Sequence, residues 1–111
     1  MHEEIILASG LGLTRFEWDP IKAKANLAKH GISFTAAVEA LDDPFKLEEL
    51  DEDYERTRVL CLHKGIVILF VVTTEPEEGV CRIISARRAN RNEQTRYFKN
   101  RPVPPRQPPT R

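Results

Sequence analysis

Apolar positions change their rhythm midway along the chain. From Ile21 to Leu41 they recur every third or fourth residue, and from Thr57 they bunch into short blocks. The first rhythm is that of helices with one buried stripe, the second that of strands. Ile21, Ala25 and Ala28 fall on one helical face, with Leu27 nearby, and Phe34, Ala37, Val38 and Leu41 form a second stripe. The punctuation agrees. Asp19-Pro20 supplies an N-cap and a first helical residue that needs no N–H donor, and Gly31 supplies a left-handed stop, so a helix is predicted from Pro20 to about His30. Ser33 caps a second helix from Phe34 to about Asp42, which Asp43-Pro44 ends. Only Gly31-Ile32-Ser33 separates the two.

The strand-like part begins with RFEW (15–18), ahead of the helices. After Pro44 come a short strand at 45–47, an acidic loop at 48–56 and the strand TRVLCLH (57–63). Lys64-Gly65 makes a turn into IVILFVVTT (66–74), apolar enough to sit centrally with both faces covered. EPEEG (75–79) is a hairpin loop and VCRIISA (80–86) the next strand. Asn90 and Glu93 have capping-box spacing, so a third helix is expected from Arg91 to about Asn100. Residues 1–14 show no period and read as a variable leader, and 101–111, with five of the eight prolines, as a flexible tail. The fold expected of residues 15–100 is α+β: a small, mostly antiparallel sheet of about four strands, with two N-terminal helices and a C-terminal helix packed on it.

The formal net charge is zero, yet the charges are segregated. Residues 39–58 hold nine acids against three bases, and residues 82–111 nine bases against one acid, Glu93. The basic third suggests an anionic partner; a solvated, salt-bridged surface fits the count equally well. The helix pair has the turn length of a DNA-binding helix-turn-helix, but Glu39, Asp42 and Asp43 on its second helix would repel phosphate. No apolar run approaches the ~20 residues that span a bilayer. His2, Glu3 and Glu4 stand where a signal peptide carries basic residues, so a cytoplasmic protein with reduced Cys61 and Cys81 is expected.

Phosphate loops, dinucleotide-binding glycines, nucleophile elbows and zinc-protease motifs are absent. Cys61, His63 and Cys81 are a thin basis for zinc, and no metal or cofactor is assigned. The carboxylate runs Asp42-Asp43 and Asp51-Glu52-Asp53 read as solvated. What remains is the segment RIISARRANRNE (82–93). Strand alternation puts Arg82, Ile84, Ala86 and Arg88 on one side and Cys81, Ile83, Ser85 and Arg87 on the other, if the strand persists that far. The helix adds Arg91, Arg96 and Lys99, with Tyr97 one turn after Glu93. Arginines held by a strand end and a helix start would form a fixed phosphate site.

Three stretches taken together, FEWDPIKAKANLAKHGISF (16–34), DDP (42–44) and IISARRANRNEQTRY (83–97), resemble the BrnT toxins of bacterial type II toxin–antitoxin systems over roughly residues 15–98. The resemblance implies a RelE-like fold, RNA cleavage that inhibits translation, and neutralisation by a BrnA antitoxin. It also implies that operator DNA is reached only through that partner's ribbon-helix-helix half. Metal-free cleavage needs a base for the 2′-hydroxyl, an acid for the leaving oxygen and cations for the phosphate. By residue type, Arg87 and Arg88 are the expected catalytic cations, and Lys29, Arg82, Arg91 and Arg96 further RNA contacts. His30, Glu93 and Tyr97 are the candidate proton movers. Each has a plainer role open to it: His30 as a helix C-terminal residue, Glu93 as half of a capping box, Tyr97 as sheet packing. The competing function is a non-catalytic interaction or DNA-binding module built on the same basic segment, against which the acidic belt at 48–55 argues mildly.

Overall fold

The computed structural model describes residues 3–9, 12–53 and 55–100, with side chains from Thr14 onward. Its elements run β1 (Glu3–Ser9), β2 (Gly12–Trp18), α1 (Pro20–His30), α2 (Phe34–Ala40), β3 (Leu47–Leu50), β4 (Thr57–His63), β5 (Val67–Thr74), β6 (Val80–Arg88) and α3 (Arg91–Asn100). The strands form one sheet in the order β1-β2-β6-β5-β4-β3. Every neighbouring pair is antiparallel except β2 and β6, which are parallel. The α+β class and the mostly antiparallel sheet are as expected.

Two edge elements differ from the expectation. Residues 3–9, within the stretch read as a leader, pair with β2 as β1. β3 covers Leu47–Leu50 rather than 45–47, because the acidic pair Glu48-Glu49 lies in the strand and pairs with Val59 and Arg58. A short edge strand with charges on it has no clean apolar alternation to read. The tail at 101–111 lies outside the described residues.

Local capping signals produce the helices as read. The Asp19 carboxylate accepts from the Ile21 N–H at 2.8 Å, and Gly31, at φ 71°, donates to the Leu27 carbonyl at 2.8 Å. Ser33 Oγ accepts from the Ala36 N–H at 3.0 Å. α2 ends at Ala40, ahead of the expected Asp42. It buries Phe34, Ala37 and Val38 against Val59, Leu69, Val71 and Ile83, with Trp18 edge-on to Phe34 at 6.1 Å between ring centroids.

α1 reverses its expected orientation. Ile21 is 79% exposed and Leu27 49%, and Ala25 and Ala28 are exposed too, whereas Asn26 is buried. The helix docks by hydrogen bonding rather than by its apolar stripe. The Asn26 side chain accepts from the Ala86 N–H at 3.1 Å and donates to the carbonyls of Ala86 at 2.8 Å and Ile32 at 2.9 Å.

α3 covers the opposite face. Tyr97 packs there with Leu60, Ile68 and Ala89. β5 is therefore buried from both sides over its first half, Leu69 and Val71 facing one cluster and Ile68 and Phe70 the other. Asp43, expected to be solvated beside the exposed Asp42, is buried and ties this layer together. Its carboxylate accepts from the Phe45 N–H at 2.9 Å, the Leu62 N–H at 2.9 Å and the Tyr97 hydroxyl at 2.5 Å. Three donors from three segments offset the cost of burying a charge.

Candidate anion site where β6 meets α3

The β5–β6 ladder pairs Val72 with Ser85 but Thr73 with Ile83, so Ile84 is an extra residue on β6. Such a bulge inverts the alternation beyond it. Ile83 and Ala86, three residues apart, both enter the α2-side core as a result. Arg82 and Arg87 then share the α3-side face, and Arg88 goes to the side of Ala86. This corrects the grouping of Arg82 with Arg88. Along this face the paired residues run Glu17, Arg82, Thr74; then Ser85, Val72, Arg58; then Arg87, Phe70, Leu60. α3 roofs the last row; in the first two, Arg82 and Arg58 are exposed while Glu17 is buried.

Arg87 is held by three groups. Its Nη1 and Nη2 donate to the two oxygens of Glu93, each at 2.9 Å, and Nη1 also donates to the Arg88 carbonyl at 3.0 Å. The guanidinium lies on the Phe70 ring, 4.1 Å from its centroid, in a cation–π contact. Three of its five N–H groups are thus used. The Nε–H and the second Nη2–H, the side-on fork suited to a phosphate, have no partner among the described residues.

Glu93 is 7% exposed, and its Oε1 also accepts from the Asn90 N–H at 2.8 Å, while the Asn90 side chain accepts from the Glu93 N–H at 2.9 Å. The capping box and the ion pair share one carboxylate. The Arg87 hydrogen bonds, aided by the Asn90 N–H, hold its pKa below the ordinary 4.5 despite burial, and the same pairing raises that of Arg87. Glu93 therefore stands ionised with both oxygens engaged.

The other expected residues divide. Arg82 donates through Nε and Nη2 to Glu17, at 3.2 and 2.9 Å, and Arg96 donates to Glu49 at 2.9 Å. Arg88, Arg91 and Lys29 are exposed and form no ion pair with described residues. The Tyr97 side chain is fully buried with its hydroxyl on Asp43, so it presents no proton to a surface-bound substrate. His30 is half-buried one turn beyond Asn26, and its ring forms no hydrogen bond with described residues. Arg58, ion-paired with Asp51 at 3.1 Å, shares the open face and went unread, since only cross-strand register places it there.

Among the described residues no group of three or more metal-ligating side chains converges. Cys61 and Cys81 are free thiols whose pKa values burial pushes up to about 12 and about 11, and the His63 ring bonds Glu39 at 3.0 Å. No described helix is long and apolar enough to cross a membrane.

A family model described as the ribonuclease toxin BrnT of type II toxin–antitoxin systems matches residues 18–93, which include α1, α2, β3–β6 and both partners of the Arg87–Glu93 pair. The 1.1 Å crystal structure of the Brucella abortus ribonuclease toxin BrnT superposes with a TM-score of 0.57 at 24% identity, over 67% of this chain and 94% of that one, a likeness of fold. No curated protein matches the chain.

Proposed function

Because the chain belongs to the BrnT family of ribonuclease toxins of type II toxin–antitoxin systems, we propose that it cleaves RNA without a metal ion in the cytoplasm and thereby inhibits translation. The observation that carries this reading is the immobilised Arg87 guanidinium with its side-on fork open. A fixed donor pair costs no reorganisation when charge grows on a phosphate, which is where such a site gains most over water. In the reaction the 2′-hydroxyl gives its proton to a base and its oxygen forms a bond to phosphorus, the bond from phosphorus to the 5′-oxygen breaks, that oxygen takes a proton from solvent to leave as a hydroxyl, and Arg87 takes the developing charge. Arg82 and Arg58 on the same face, Arg91 and Arg96 on α3, and Arg88 and Lys29 beyond the strand end on the α1 side, guide the backbone of the RNA.

The proton mover in this proposal is His30. Glu93 is engaged and ionised and the Tyr97 hydroxyl is buried, whereas the His30 imidazole is half-exposed and forms no hydrogen bond with described residues. It stands one helical turn, about 6 Å of rise, beyond the residue that grips Ala86. The partner we propose is a BrnA-like ribbon-helix-helix antitoxin, through which alone operator DNA is bound.

The test is direct. Purified protein incubated with RNA in the presence of a chelator should degrade it, and induced expression should arrest growth. Intact RNA and normal growth would instead support a binding module without chemistry.

A further inference from the structure

We propose that Asn26 is a positioning residue that holds the arginine-bearing end of β6 in place for Arg87; the inference rests on the anion-site reading above. The ladder between β2 and β6 ends at Glu17↔Arg82. Beyond it, the β2-side edge of β6 has no strand neighbour among the described residues. The N–H and C=O of one strand residue point the same way. Ala86 gives both to the Asn26 side chain, so these groups face away from β5. The amide of Asn26, with one acceptor and one donor in a plane, takes the place of the missing strand at that position. Its Nδ2 also donates to the Ile32 carbonyl just beyond α1.

The grip falls one residue before Arg87, on the edge opposite β5. β5 supplies Phe70, the residue paired with Arg87 and the platform under its guanidinium. Arg87 is thus located from both edges of β6: by Phe70 on one side and through the Asn26–Ala86 bonds on the other. Asn26 touches no substrate in this arrangement; it acts through the backbone that carries Arg87.

A double-mutant cycle tests this. Asn26→Ala, Arg87→Ala and the double variant are compared for kcat/KM on a single-stranded RNA, at a temperature where circular dichroism shows each one folded. Asn26→Ala is expected to lower kcat/KM about 10-fold or more with Arg87 present, and about 2-fold or less without it. Equal losses in both backgrounds, or no loss at all, overturn the proposal. If Arg87→Ala alone leaves cleavage unchanged, the anion-site reading itself fails, and that outcome is separate from an additive cycle. Should Asn26→Ala not fold, amide exchange in the unaltered protein decides: protection of the Ala86 N–H equal to that of Val71 supports the clamp, and exchange at the rate of an open strand edge overturns it.

Discussion

Glu93 grips Arg87 end-on, one carboxylate oxygen to each terminal nitrogen at 2.9 Å, and by doing so leaves the side-on fork of the guanidinium open. A general base would need a free oxygen, and Glu93 has given its Oε1 to the Asn90 N–H as well. Glu93→Gln should therefore reduce RNA cleavage by about 10-fold or less, through looser holding of Arg87. Removal of a proton-transfer group typically costs 10²–10⁴-fold, roughly. A loss in that larger range, in a variant that melts like the unaltered protein, would return Glu93 to the chemistry.

The same pair sets an acid limit on stability. The folded-state pKa of Glu93 lies below its ordinary 4.5, mainly through Arg87. The stabilisation is thus complete above the ordinary value and is lost as the pH falls through the lowered one. Thermal midpoints measured against pH should fall more steeply in acid for the unaltered protein than for Glu93→Gln, and run parallel near neutrality. Parallel curves throughout would contradict the ion pair.

Tyr97→Phe removes the hydroxyl that donates to buried Asp43. The carboxylate keeps the N–H donors of Phe45 and Leu62. The loss should be about 1–3 kcal/mol, and each kcal/mol lowers the midpoint by about 4–8 °C in a domain of this size. Cleavage per folded molecule should stay unchanged. A large rate defect with an unaltered midpoint would place the hydroxyl in the reaction.

α1 offers a sign test of its orientation. Ile21→Lys, at a position 79% exposed, should alter stability by no more than about 0.5 kcal/mol. Ala23→Glu, which drives a carboxylate toward the cluster of Trp18 and Phe34, should cost about 1–3 kcal/mol by chemical denaturation. The reverse ranking would mean that the apolar stripe is the docking face after all.

What could be read from the chain alone was local. Asp19-Pro20, Gly31, Ser33 and the Asn90–Glu93 box each act within a few residues, and the three helix starts and the end of α1 follow them. Misreadings arose where distant residues decide. The bulge at Ile84 depends on the β5–β6 register, and it alone puts Arg82 on the same face as Arg87. The docking face of α1 is chosen by Ala86, sixty residues from Asn26. Asp43 looked solvated because the donors that bury it come from β4 and α3. The arginine segment was recognisable by composition, but the fork of Arg87 became visible only once its other N–H groups had been assigned partners.

The central claim is that a held Arg87 fork binds the scissile phosphate. Arg87→Lys keeps the charge and the reach toward Glu93 but has no fork to offer. Cleavage of a single-stranded RNA in chelator, by variant and unaltered protein matched for folded fraction, is the decisive measurement. A loss of about 10-fold or more is expected for Arg87→Lys, and a larger one for Arg87→Ala. Equal rates in all three proteins would contradict it.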